Sequence, residues 1–139
     1  MTVLLIDTSF LVAFLQEREH FHPWAVSAME SRSGTLATCE AVLTETCYLL
    51  RDHLHARKSL LSAVASGRIN TPFILSREAA AIGALMERYR NIPMSLADAC
   101  LVRMAEIHTD SIVITLDSDF KIYRKSNRNV IPTLMPPET

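Results

Sequence analysis

Four acidic side chains stand in stretches that are otherwise apolar. Asp7 directly follows the run Val3-Leu-Leu-Ile6, and Asp117 closes Ile112-Val-Ile-Thr-Leu116 with Asp119 two residues on. Glu45 lies in Ala41-Val-Leu-Thr-Glu-Thr-Cys-Tyr-Leu-Leu50, where Ala41, Val42 and Leu49 are its helical neighbours. Asp98 shares a helical face with Leu101, Val102 and Ala105. Glu17, Glu19, Glu30, Asp52, Glu78, Glu87, Asp110 and Glu138 sit among polar residues and are expected to be solvated. Each of the four has a simple local use when taken alone. Asp7 can cap a following helix, Asp117 can form an Asx-turn, Asp98 can close a capping box with Ser95, and Glu45 can pair with an arginine. Together they offer different chemistry. Carboxylates gathered within ~4–6 Å repel, and one takes up a proton unless a cation compensates. Oxygen-only ligands suit hard ions such as Mg²⁺ or Mn²⁺. An ion held on such a rim activates water and steadies a leaving oxygen, which is the requirement for cutting a phosphodiester. It also removes the repulsion between the carboxylates and the phosphate.

The elements that must position these acids alternate between strand and helix. Val3–Ile6 reads as a buried strand, followed by a helix over Phe10–Leu15 and another starting near Pro23. Gly34 ends that piece, and Thr35–Thr38 is a second strand candidate. Helices are expected over Glu40–Leu54 and Ala56–Ala65, the latter closed by Ser66-Gly67. Ile69–Leu75 is a strand candidate weakened by Pro72. Helices follow over Ser76–Arg90 and Ser95–His108. Ser111–Leu116 is the clearest strand, and Val130-Ile131 is expected as an edge strand stopped by Pro132. Short strands apolar on both faces, alternating with helices, imply an α/β domain with a parallel sheet covered by helices. Ligands of such sheets bind outside the carboxyl ends of the strands. Asp7 and Asp117 are expected at two of those ends, with Asp98 and Glu45 in the first and second turns of their helices. All four can therefore converge on one rim.

Leu4-Leu-Ile-Asp-Thr-Ser-Phe-Leu-Val-Ala13, Glu45 before Tyr48-Leu-Leu50, Ser95-Leu-Ala-Asp-Ala99 and Ile114-Thr-Leu-Asp-Ser-Asp-Phe120 resemble the successive motifs of the PIN-domain ribonucleases. The resemblance runs from about Val3 to Phe120 in the family's order and spacing. The compact length and the segment Glu19-His-Phe-His-Pro-Trp-Ala25 are similar to the VapC-type toxins of toxin–antitoxin modules. This resemblance implies a three-layer α/β/α, PIN-like (Rossmann-like) domain over residues 1–139 with a short, mainly parallel central sheet. It implies a Mg²⁺- or Mn²⁺-dependent endoribonuclease with an RNA substrate, an antitoxin partner and a homodimer. An RNA-processing nuclease without an antitoxin is the alternative. Asp7, Glu45, Asp98 and Asp117 match the acidic quartet. Asp7 and Asp98 are then the main metal ligands, with Asp117 and Glu45 holding a second ion or the water on it. Asp119 competes with Asp117 for the fourth role, and Ser9 matches a small hydroxyl that supports the site. Glu40 has no counterpart in the quartet.

The rest of the sequence narrows the field. The chain has 139 residues, 49% of them hydrophobic, enough for one ordinary core without disulfides or a structural metal. Fifteen acidic and fourteen basic residues leave a formal charge of −1, so RNA binding must rest on local patches. Lys121, Arg124, Lys125 and Arg128 form the candidate phosphate-contacting patch, beside a plain reading as solvated surface. His20-x-His22 and His53-x-His55 lack a second ligand pair at zinc spacing and read as solvated helix-end residues. With no histidine required, the proton acceptor is expected to be metal-bound hydroxide and not an imidazole. Cys39, Cys47 and Cys100 are an odd number without C-x-x-C spacing and read as buried hydrophobes in a reducing cytoplasm. No signal peptide or membrane span is expected, since the longest apolar stretch is Phe10–Leu15. The Glu40–Leu54 segment is also apolar opposite Glu45, at Leu43, Cys47, Leu50 and Leu54, which suits a neighbouring helix as well as a second copy or an antitoxin peptide. A receiver-like signalling module is disfavoured. Ile69–Leu75 ends without a phosphoacceptor aspartate, and no lysine follows Val130. A dehalogenase-type phosphatase is disfavoured because Asp7-Thr8-Ser9 lacks its second acid. A PIN-like scaffold without catalysis is disfavoured by the intact quartet.

Overall fold

The computed structural model describes residues 1–138; Thr139, the last residue of the expected domain, lies outside the described residues. The first strand, β1 (Val3–Ile6), is the centre of the molecule. It pairs in parallel with β2 (Thr35–Ala37) on one side and with β4 (Ser111–Ile114) on the other. A third strand, β3 (Ile69–Asn70), extends the β2 side and the last, β7 (Thr133–Leu134), the β4 side, so the order is β3-β2-β1-β4-β7 with every pairing parallel. Leu4, Leu5, Ile6, Val113 and Ile114 are almost wholly buried, as strands covered on both faces require. The helices are α1 (Thr8–Leu15), α2 (His22–Ser31), α3 (Glu40–Leu49), α4 (Leu54–Ala65), α5 (Leu75–Arg88) and α6 (Leu96–Ile107). They complete a three-layer α/β/α fold. The pairs α1–α2, α1–α3, α3–α6 and α5–α6 pack against one another.

Gly34 has a structural reason. A Cβ at this position stands 2.5 Å from the Thr2 carbonyl oxygen, and the same approach lets the Thr35 N–H donate to that oxygen at 3.1 Å. Only glycine admits the two segments this closely.

Three expected elements differ. The edge strand is β7 (Thr133–Leu134), which lies after Pro132 and pairs with β4 through Val113↔Thr133 and Ile114↔Leu134. Val130 belongs instead to a separate antiparallel hairpin of β5 (Arg124–Lys125) and β6 (Asn129–Val130), while Ile131 is buried in the core. Proline has no N–H but keeps its carbonyl, and the Pro132 oxygen accepts from Val113 N at 2.9 Å. The residue thus starts the edge instead of ending it. The predicted strand Ile69–Leu75 pairs only over two residues before Thr71-Pro72 leaves the sheet, and α5 begins already at Leu75. The predicted helix Glu40–Leu54 ends at Leu49. Leu50 is buried, its N–H donates to the Thr46 carbonyl, and the chain turns before α4. Cys39 and Cys100 are buried and Cys47 half-buried, all three free. No helix among the described residues is long and apolar enough to cross a membrane.

Candidate metal centre

The parallel sheet brings the ends of β1 and β4 side by side, and each delivers an aspartate at once. Asp7 leaves β1 in extended conformation and caps α1, its Oδ1 accepting from Thr8 N at 2.7 Å. Its Oδ2 accepts from the Thr115 hydroxyl at 2.5 Å, a length typical of a charge-assisted bond. Thr115 Oγ1 also accepts from Asp117 N at 2.9 Å, so one buried hydroxyl ties both aspartates together. The Ser9 hydroxyl accepts from Leu116 N at 2.9 Å and stands 3.3 Å from Thr115 Oγ1 and 3.5 Å from Asp7 Oδ2. Asp117 caps the short 3₁₀ turn Ser118–Lys121, its Oδ1 accepting from Asp119 N at 2.9 Å. Asp98 arrives from α6 as the third residue of a capping box. Ser95 N donates to Asp98 Oδ2 at 3.1 Å, and Asp98 N donates to Ser95 Oγ at 3.0 Å. The Tyr123 hydroxyl donates to the same Oδ2 at 3.4 Å.

Local roles and a shared site therefore coexist. Each aspartate spends oxygen lone pairs on a cap, and Asp98 Oδ1 and Asp117 Oδ2 have no protein donor among the described residues. One carboxylate oxygen from each of Asp7, Asp98 and Asp117 lies within 4.8 Å of the other two. Among the described residues this is the only such grouping of three or more acids, histidines and cysteines. Asp7 is 4% and Asp98 8% exposed, while Asp117 is half-buried. Burial, reinforced by the charges of Asp98 and Asp117, pushes Asp7 up to about 6 even against the hydrogen bonds from Thr115 and Thr8. Burial likewise raises Asp98, with the charges of Asp117 and Glu45 adding to it. Lysine and arginine form no ion pair with these three acids among the described residues. Such a set calls for positive charge from outside the chain. A hard divalent cation fits the donor chemistry: all oxygen, closely spaced and partly committed by second hydrogen bonds that orient each carboxylate.

Glu45 differs from its expected orientation along the apolar stripe. The buried stripe of α3 is Val42, Thr46 and Leu50, so Glu45 is turned to its side and exposed. It still borders the trio, since the Thr8 hydroxyl donates to its Oε2 at 3.2 Å. Asp119 is half-buried and outside the trio; its backbone N–H serves Asp117.

Sequence reasoning missed Thr115 and Tyr123. A signal for Thr115 existed, as the one hydroxyl in Ile-Val-Ile-Thr-Leu. Tyr123 gave none, since it sits between Lys121 and Arg124 and looks like surface. Yet it is wholly buried, packed edge-on against Tyr89 and Phe120. Burial and the nearby charge of Asp98 hold its phenol well above the ordinary value, which keeps it a hydrogen-bond donor.

The candidate basic patch is only partly free. Lys121 Nζ pairs with Glu138 at 2.9 Å. Arg124 donates from one guanidinium nitrogen to the carbonyls of Lys121, Ile122 and Tyr123, closing the turn. Lys125 is half-buried and Arg128 exposed. His22 contacts the Ala13 carbonyl through Nδ1 at 2.8 Å, and the other four histidines have no part in the trio.

A three-layer α/β/α fold with a parallel sheet and a largely buried carboxylate trio at its carboxyl edge defines an acidic-site α/β domain. Residues 4–126 match the sequence model of the PIN domain, and the chain belongs to the PIN domain family. The fold is similar to the crystal structure of Mycobacterium tuberculosis VapC20, a sarcin–ricin loop cleaving toxin. The TM-score is 0.78 at 19% identity, over 86% of this chain and 93% of that one. No curated protein matches the chain significantly.

Proposed function

We propose that this chain is a Mg²⁺- or Mn²⁺-dependent endoribonuclease that hydrolyses RNA phosphodiester bonds as the toxin of a toxin–antitoxin pair in the cytoplasm. The observation that carries the reading is the trio Asp7, Asp98 and Asp117, drawn together with two of them buried and no lysine or arginine paired to them among the described residues. Membership of the PIN domain family and the likeness in fold to a sarcin–ricin loop cleaving toxin support it.

Asp7 and Asp98 hold the ion, joined by Asp117 and not by Asp119. When bound, the ion supplies the charge that admits a phosphodiester and makes water acidic enough to attack it. The chain's own residues do the rest. Thr115 and Ser9 hold Asp7 in one orientation, and Ser95 and Tyr123 hold Asp98. Glu45, fixed at Oε2 by Thr8 and open to solvent, orients the attacking water and takes up its proton. Lys125 and Arg128 contact flanking phosphates. Leu54 and Leu61 on α4, and Ile74, Leu75 and Leu96 beyond it, are exposed apolar side chains that suit a second copy of the chain and an antitoxin peptide.

The test incubates purified protein with structured and single-stranded RNAs in Mg²⁺, Mn²⁺ or EDTA, beside Asp7→Asn and Asp98→Asn. Cleavage by the wild type alone, abolished by EDTA, is expected. Equal cleavage by the variants, or cleavage that survives EDTA, defeats the assignment.

A further inference from the structure

The corner between α3 and α4 carries a ring and two guanidinium groups that neither the core nor the acid trio uses. Tyr48 lies three residues beyond Glu45, ~5 Å along the helix axis, and is 64% exposed. Thr44, Glu45, Tyr48 and Leu49 line a shallow hollow of about 440 Å³, with Glu45 as its one acid. The Arg51 guanidinium lies over the Tyr48 ring, 4.4 Å from its centroid, and donates to the Tyr48 carbonyl at 3.0 Å. Arg57 reaches the Arg51 carbonyl at 3.4 Å. Among the described residues neither guanidinium pairs with a carboxylate. Elsewhere Lys121 pairs with Glu138, and Arg124 closes a turn on three backbone carbonyls.

We propose that this hollow is a nucleobase subsite. A base of single-stranded RNA next to the scissile bond stacks on Tyr48, while Arg51 and Arg57 hold the adjoining phosphate. The inference rests on the ribonuclease reading and names how that site takes its substrate. Charge complementarity selects the occupant. A polyanion approaching three clustered carboxylates needs cations near them, and Arg51 and Arg57, free of any carboxylate among the described residues, stand at this corner with the Tyr48 ring under Arg51. Aromatic rings interleaved with arginine bind unpaired nucleotides by stacking plus phosphate contact, because every base presents a π-face. The hollow is apolar except at its Glu45 end, as a flat heterocycle requires.

The experiment uses single-stranded RNA substrates carrying 2-aminopurine at successive positions, bound to protein with a native acid trio in Ca²⁺ in place of Mg²⁺, with the RNA checked to be intact by gel. Tyr48→Ala, Tyr48→Phe and Arg51→Gln are compared by fluorescence and by Kd, with sedimentation of each variant. Expected is quenching at one position that persists in Tyr48→Phe and disappears in Tyr48→Ala. Kd should rise about tenfold for Tyr48→Ala, in the range of one lost stack, with sedimenting mass unchanged. Arg51→Gln should weaken binding and flatten its salt dependence. Wild-type Kd and quenching in Tyr48→Ala overturn this inference alone, leaving cleavage by the otherwise native Tyr48→Ala enzyme to uphold the ribonuclease reading. A drop in sedimenting mass with Tyr48→Ala assigns the face to a second copy and overturns it too. No RNA binding by the wild-type protein, acid trio and Tyr48 both native, removes both.

Discussion

Asp7 shows at the scale of one residue how burying a carboxylate among other acids costs stability. Unfolded, it titrates near the ordinary 3.8; folded and ion-free, it titrates near 6. Between those values the native chain binds a proton that the unfolded chain has released, so raising the pH through this window favours unfolding. Below about pH 4 both states are protonated and no penalty remains. Above about pH 6 both are ionised and the penalty is complete, roughly 3 kcal/mol by the usual conversion. Asp7→Asn is therefore expected to stabilise the ion-free protein at pH 7 by about 1–3 kcal/mol while removing activity. Chemical denaturation in EDTA at pH 4 and pH 7 checks this, and a variant no more stable than wild type at pH 7 contradicts it. Thr115 works against the same penalty from the other side. Thr115→Val leaves Asp7 Oδ2 and Asp117 N without their shared partner, and should cost about 1–3 kcal/mol as well as weaken ion binding.

The elements that deliver the acids were legible to different degrees, for physical reasons. Ser95-Leu-Ala-Asp98 announced a capping box, and α6 starts there with both reciprocal bonds formed. Ser95→Ala should destabilise the protein by about 1 kcal/mol and loosen Asp98, lowering Mn²⁺ affinity. Ser95→Thr, which keeps the hydroxyl, should restore both in parallel melting and titration experiments. The strand Ser111–Ile114 was plain because branched residues run unbroken. The ends of β3 and α3 were not plain. Local patterning carried on past Asn70 and Leu49, while a missing proline N–H and the buried turn residue Leu50 stopped the elements. Gly34 read as a break, but its reason lies at Thr2, more than thirty residues away in sequence. Gly34→Ala forces β1 and β2 apart and should cost about 2 kcal/mol or more in a denaturant titration. Tyr123 was illegible because its burial depends on Tyr89 and Phe120, which only the tertiary fold assembles.

For the whole molecule, charge is the organising constraint. To act on RNA as proposed, a chain of net charge −1 with an acidic site must gather the strand through cations held at the rim. Asp7, Asp98 and Asp117 could be picked out individually from their apolar contexts. Their meeting follows from the order β1 beside β4 with α6 crossing over that edge, which sequence alone could suggest but not place. Lys125→Gln with Arg128→Gln should lower RNA affinity and reduce the slope of log K against log salt by about 1–2; an unchanged slope removes them from the interface. Arg124 is a poorer probe, because its loss also opens the turn behind Tyr123. The most direct trial of the account is a Mn²⁺ titration followed by electron paramagnetic resonance, with wild type beside Asp7→Asn and Asp98→Asn at neutral pH. Saturable binding by the wild type, lost or weakened at least tenfold in each variant, is predicted. Binding equally tight in all three proteins, or none in any, would contradict it.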